Sequence, residues 1–135
     1  MIGVLVVTHG SIGEALLASA VQILGGEQPQ VATLGVSRHD DPDVVLPRAR
    51  AILAGIDQGS GVLVLADMFG ATPSNIAARL LVDGRIEGVA GVSLPMLVRV
   101  LAGRNGSLAA AVERARSGGA EGVVYMNADR CNGKH

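Results

Sequence analysis

Aromatic side chains are almost missing from this 135-residue chain, which has no tryptophan, one phenylalanine (Phe69) and one tyrosine (Tyr125). A core without rings has to be built from Val, Leu, Ile and Ala, a composition that suits helices packed closely on a parallel sheet. A single cysteine, Cys131, excludes an internal disulfide framework and suits a reducing compartment. No apolar run approaches the roughly 18 residues that a membrane-spanning helix needs. The opening stretch Met1–Val7 lacks the basic region of a signal peptide, so the expectation is a cytoplasmic protein. Charge of one sign is missing too. Eleven basic and 12 acidic residues leave a net charge of -1, with no global pull toward nucleic acid or an anionic membrane.

What is present is a 49% apolar, 17% charged chain with 19 glycines, the composition and length of one ordered domain. Ile2 to Val7 is a branched apolar run without polar alternation, the pattern of a strand covered on both faces. Ser11 then reads as a helix cap, and Ile12, Leu16, Ala20, Ile23 and Leu24 recur at helical spacing up to Gly25-Gly26. Val31 to Val36 is a second strand. Asp40, Asp41 and Pro42 open a second helix, with proline at a first turn that needs no donor there. A third strand, Val62 to Ala66, precedes a helix from Thr72 (the expected cap) through Leu81. A fourth strand is read at Val89 to Val92, followed by helices at Met96 to Ala102 and Ser107 to about Arg116, with Gly118-Gly119 as the stop. Gly122 to Met126 reads as a fifth strand, and residues 127–135 as a polar, frayed tail.

Right-handed crossovers then predict a doubly wound α/β domain over residues 1–126. Its first four strands form a parallel sheet of order 2-1-3-4, with helices on both faces. In such sheets ligands bind beyond the carboxyl ends of the strands, where strand order reverses. That point lies between strands 1 and 3, whose following residues are Thr8-His9-Gly10-Ser11 and Asp67 through Asn75. Topology alone therefore predicts that His9 meets Asp67.

This pairing suits phosphorylation of histidine. A nucleophilic imidazole must be neutral, with one nitrogen unprotonated and the other held as N–H. A carboxylate that accepts from one ring nitrogen fixes the tautomer and aims the other outward. The incoming anion would be offset by amides at the two helix starts. Gly10 and Gly70 offer backbone approach without a Cβ, and the hydroxyls of Thr72, Thr8 and Ser11 offer hydrogen bonds. No metal or other cofactor is expected.

These residues make the chain similar, over about residues 1–126, to the enzyme IIA component of the mannose-family sugar phosphotransferase system. Three motifs carry the resemblance in order: V-x-T-H-G-x-x-G/A at Val6 to Gly13, D-x-F/W-G-G-(S/T)-P-x-N at Asp67 to Asn75, and G-V-x-L-P-M-L at Gly91 to Leu97. The resemblance implies that His9 receives phosphate on Nε2 from the phosphocarrier HPr, while Asp67 holds Nδ1. It implies that Thr72 and nearby amides, among Gly10, Ser11, Gly70 and Ala71, contact the phosphate. It also implies an enzyme IIB acceptor or a regulatory target, and a homodimer in which Gly122 to Met126 joins the partner's sheet as an antiparallel fifth edge strand, making the sheet mostly parallel. Two positions depart from the family pattern: Ala71 stands where the family has its second glycine, and Ser74 where it has phenylalanine. A transport role would then need separate IIB and membrane subunits.

The other chemistry-bearing residues read more plainly. His39 is expected in a solvated loop, and Cys131 with His135 lacks further ligands for a metal. Arg99, Arg104, Arg114 and Arg116 read as solvated helix faces, Phe69 as core filling or an exposed anchor, and Leu94 to Leu97 as packing or a wall of the crevice. Rival functions are the phosphoryl-donor subunit of dihydroxyacetone kinase, a tetrapyrrole metal chelatase and a non-catalytic regulatory domain.

Overall fold

In a computed structural model, residues 1–131 are described, with side chains through 128. The considered Cys131–His135 pair falls outside those side chains. Four strands, β1 (Gly3–His9), β2 (Val31–Val36), β3 (Val62–Ala66) and β4 (Ile86–Ala90), form one sheet of order β2-β1-β3-β4. Every pairing is parallel, and β1 aligns His9 with Val36 on one side and Val7 with Ala66 on the other. The connections are α1 (Ile12–Leu24), α2 (Pro42–Ile56), α3 (Thr72–Ala78), α4 (Leu94–Leu101) and α5 (Leu108–Glu121); α6 (Met126–Cys131) comes last.

The period of two along β1 divides the interior into two layers. Leu5 and Val7 face Val45, Leu53, Ile76 and Leu80 of the α2–α3 layer. Val4 and Val6 face Ala20, Leu97, Val100 and Ala111 of the α1–α4–α5 layer. Strands buried on both sides explain the unbroken apolar runs, and each buried Val or Leu contributes about 1.5–3 kcal/mol. Asp41 caps α2 as expected, accepting from the Asp43 N–H at 2.9 Å, with Pro42 next to it.

Several elements differ from expectation. No fifth strand forms among the described residues: Val123 to Tyr125 have no regular structure, and Met126 begins α6. Their branched side chains favour a strand, but within one chain the segment has no ladder partner, and it stands exposed. The start of the expected polar tail is likewise helical. β4 begins three residues earlier than read, because Glu87 and Gly88 interrupt its apolar pattern. A turn closed by Arg85 N–H to the Val82 carbonyl (2.9 Å) sets its start. α3 ends at Ala78, and Arg79 and Leu80 continue as tighter i→i−3 bonds of 3.1 and 2.9 Å.

α5 runs through Gly118-Gly119 instead of stopping there. A Cβ at Gly118 would stand 3.2 Å from the Met96 Cα, so this glycine admits α4 against α5 and terminates nothing. α4 starts at Leu94 behind Ser93, whose hydroxyl accepts the Met96 N–H at 3.3 Å. Met96 and Leu97 are core residues. Arg104 is also buried, only 4% exposed. Its guanidinium donates to the carbonyls of Pro29 (2.6 Å) and Ile2 (3.3 Å) at the opposite end of the sheet from His9. Arg99 and Arg116 pair instead with Glu121 and Glu113, and Arg114 donates to the Arg99 carbonyl at 3.0 Å. No helix among the described residues is long and apolar enough to cross a membrane.

Candidate functional site

β1 and β3 are neighbours whose chains leave the sheet toward different partners, so a crevice opens beyond their carboxyl ends. β1 delivers His9 as its last residue, and β3 delivers Asp67 one position past its end. Although 58 positions separate them, Asp67 Oδ2 accepts from the His9 backbone N–H at 2.9 Å and lies 2.8 Å from His9 Nδ1. Asp67 Oδ1 accepts the Met68 N–H at 2.9 Å. The predicted meeting of the two side chains is therefore what the structure contains.

The charge state follows from these contacts. The Asp67 side chain is 12% exposed, against 44% for His9. Burial works to raise the Asp67 carboxyl. The hydrogen bonds from the His9 backbone and side chain, the His9 charge and the Met68 N–H outweigh it, and the carboxyl titrates below its ordinary 3.8. An ionised carboxylate only accepts hydrogen bonds, so Nδ1 carries a proton, and in the neutral ring the lone pair is then on Nε2. No described residue hydrogen-bonds Nε2. The arrangement presents an oriented, partly exposed ring nitrogen.

Around this pair, Gly10 and Gly70 both take positive φ (+48° and +87°), with open space where a Cβ would stand. Ser11 occupies the cap position of α1, but its side chain makes no capping bond and is exposed. Ala71 is the cap residue of α3, so Thr72 is the first residue of that helix instead of its cap. A cap needs extended backbone one position before the helix, and here Ala71 supplies it at ψ 172°. The Gly70 N–H is already engaged by the Ser74 hydroxyl at 2.8 Å. Thr8 is fully buried, and its hydroxyl accepts the Gly13 N–H at 2.8 Å, which ties β1 to α1 and removes it from the crevice.

Phe69 is 88% exposed and Met68 57% exposed, which settles the choice between core and surface for the phenylalanine. His39 lies in the exposed loop after β2, where its Nε2 accepts from Arg38 Nε at 3.4 Å, and does not join His9. Among the described residues no group of three or more His, Cys, Asp or Glu side chains is placed to hold a metal ion.

Two residues with a structural part in the site were missed. Gly35, in β2, lies under the loop after His9: a Cβ there would collide with the Gly10 carbonyl oxygen. Its isolation inside a strand pattern was the available signal. Ser74 holds the loop after Asp67, and its departure from the family motif was the only mark on it.

Strand order, switch-point crevice and carboxylate-held imidazole together define an α/β domain with a histidine–aspartate pair at its topological switch point. Residues 3–115 match the EIIA-man family, described as "PTS system fructose IIA component", and the chain belongs to this family. It is 36% identical over 124 residues to the PTS system mannose-specific EIIAB component of Escherichia coli (strain K12). That alignment covers 87% of this chain but only 38% of the relative's length. It is 34% identical over 102 residues to the PTS system fructose-specific EIIA component of Bacillus subtilis (strain 168), covering 75% of this chain and 69% of the relative. Among solved structures, the mannose/sorbose-specific IIA subunit of the phosphotransferase system from Enterococcus faecalis superposes with a TM-score of 0.80 at 25% identity, covering 91% of this chain and 92% of that one. A phosphotransferase system component EIIA from Streptococcus agalactiae shares the fold with a TM-score of 0.82 at 23% identity, covering 95% and 99%.

Proposed function

We propose that this chain is a cytoplasmic phosphocarrier of a sugar phosphotransferase system. It takes a phosphoryl group from HPr on His9 Nε2 and hands it to an enzyme IIB acceptor or a regulatory target. The observation that carries this reading is the 2.8 Å contact between His9 Nδ1 and Asp67 Oδ2, with Nε2 left unpartnered.

In the transfer, the Nε2 lone pair attacks phosphorus while the bond from phosphorus to the donor's nitrogen breaks, and that nitrogen leaves with the electron pair. Nδ1 keeps its proton throughout, so the imidazole becomes cationic as the new bond forms. Asp67, ionised and in contact, stabilises that charge. The reverse sequence delivers the group onward. Amides and hydroxyls of Ser11, Ala71 and Thr72 would hold the phosphoryl oxygens. Gly10 and Gly70 would leave room for them, Gly70 through its missing side chain because its amide is occupied. A homodimer is part of the proposal. The exposed residues Val123 to Met126 would pair with the partner's β4, whose outer edge has no strand beside it among the described residues.

Incubation with phosphoenolpyruvate, enzyme I and HPr tests the reading. We expect one acid-labile, base-stable phosphate per chain, absent from His9→Ala. Full labelling of His9→Ala would overturn the assignment.

A further inference from the structure

The loop joining Asp67 to Thr72 carries both a carboxylate and a hydroxyl of the proposed site, and one side chain closes it. Ser74, on the first turn of α3 and 9% exposed, accepts the Gly70 N–H at 2.8 Å and donates its hydroxyl proton to the Ala71 carbonyl at 3.0 Å. Within the same loop the Ala71 N–H reaches the Met68 carbonyl only at 3.4 Å, so the Ser74 bonds are the shorter restraints. Pro73 beside it is buried, which fixes the place from which the hydroxyl acts.

We infer that Ser74 is a positioning residue for the phosphoryl-transfer site. Its hydroxyl holds the Met68–Ala71 turn and thereby keeps the Asp67 carboxylate on His9 Nδ1. The inference rests on the phosphocarrier reading for its kinetic consequence and on geometry alone for its structural one. Without the hydroxyl, the Gly70 N–H loses its acceptor within the loop and the turn has one weak bond left to hold it. A shift of the carboxylate by a fraction of an ångström is enough to slow a step that depends on alignment. It also releases the ring to exchange protons between its nitrogens.

Ser74→Ala and Ser74→Thr separate this role from packing. The threonine keeps the hydroxyl, and its extra methyl has room in an apolar recess of about 90 Å³ that Ser74 lines with Val64, Phe69, Ala77, Leu81 and Val89. We expect Ser74→Ala to lower the maximal rate of transfer from phosphorylated HPr about tenfold, with KM for HPr within twofold. Ser74→Thr should return the rate to within threefold of the parent. Ring ¹⁵N shifts of His9, read without any donor, should report Nδ1–H in the parent and Ser74→Thr but a mixture of tautomers in Ser74→Ala. An unchanged tautomer in Ser74→Ala overturns the inference whatever the transfer assay shows. So does a rate loss that threonine fails to restore. A parent protein that HPr cannot label overturns the phosphocarrier reading instead, and the ring shifts still decide the positioning claim.

Discussion

Replacing Asp67 by Asn keeps the shape of the side chain and removes its charge. In the parent, Oδ2 accepts two bonds from His9 and Oδ1 accepts one from Met68. An amide cannot satisfy both ends. If its oxygen faces His9, its NH₂ meets the Met68 N–H; if it is turned round, the NH₂ forces the proton off Nδ1 and onto the nucleophile. The larger loss is electrostatic. Two unit charges 2.8 Å apart attract by about 1.5–3 kcal/mol when the effective dielectric is about 40–80, the range for a ring that water reaches. That attraction is present when the imidazole carries the phosphoryl group and absent in its neutral ground state. Asp67→Asn should therefore slow single-turnover transfer by about ten- to a hundredfold, measured by rapid quench from phosphorylated HPr. The fold should be retained. A rate within twofold of the parent would refute the charge argument. Stability supplies a second readout. Because folding lowers the Asp67 titration below 3.8, the carboxylate stabilises the fold fully above that value and ceases to do so as pH falls through its folded-state value. The gap in unfolding free energy between parent and Asp67→Asn should be present at pH 7 and close in the acid range, and a gap that widens on acidification would contradict it.

Gly118→Val would force a branched side chain against the Met96 backbone at the α4–α5 contact, and a loss of about 1–3 kcal/mol is expected in urea unfolding; an unchanged midpoint would mean the helices part without cost. Arg104→Met should cost about 2–3 kcal/mol by withdrawing the donor from the Ile2 and Pro29 carbonyls, with transfer kinetics unaltered; a slower transfer rate would show that the two ends of the sheet are coupled. Removal of residues 122–135 should convert the proposed dimer to a monomer by light scattering, and an unchanged mass would reject pairing through that segment.

The strands buried on both faces were legible because burial leaves a direct trace in composition: β1, β2 and β3 contain almost nothing but apolar residues and glycine. Topology then brought His9 to Asp67, since right-handed crossovers leave few sheets to choose from. Elements with weaker constraints were harder to read. β4 has a free edge and tolerates Glu87 and Gly88, so its pattern resembles a turn. Gly118 looked like a helix stop because its reason for being glycine lies on another helix. Arg104 was read as solvated because the backbone carbonyls of Ile2 and Pro29, distant in sequence and encoded by no local pattern, hold it in a buried place. Ser74 was noted only as a departure from the family motif, because a serine that holds a loop is locally indistinguishable from one that faces water. The segment from Val123 to Met126 has strand-forming residues, but a ladder requires a partner, and a single chain offers none.

Of the four strands of this sheet, the earliest in chain order, β1, is one of the two in the middle. A growing chain can pair β1 with β2 early, yet the other side of β1 stays bare until β3 leaves the ribosome, and the guanidinium that grips Ile2 comes later still. For that interval an apolar strand edge is open to solvent and to neighbouring chains, a hazard of folds whose contacts span long sequence separations. The imidazole, already made, has no carboxylate to orient it during this time, so the reactive pair comes into being only with the closure of the sheet.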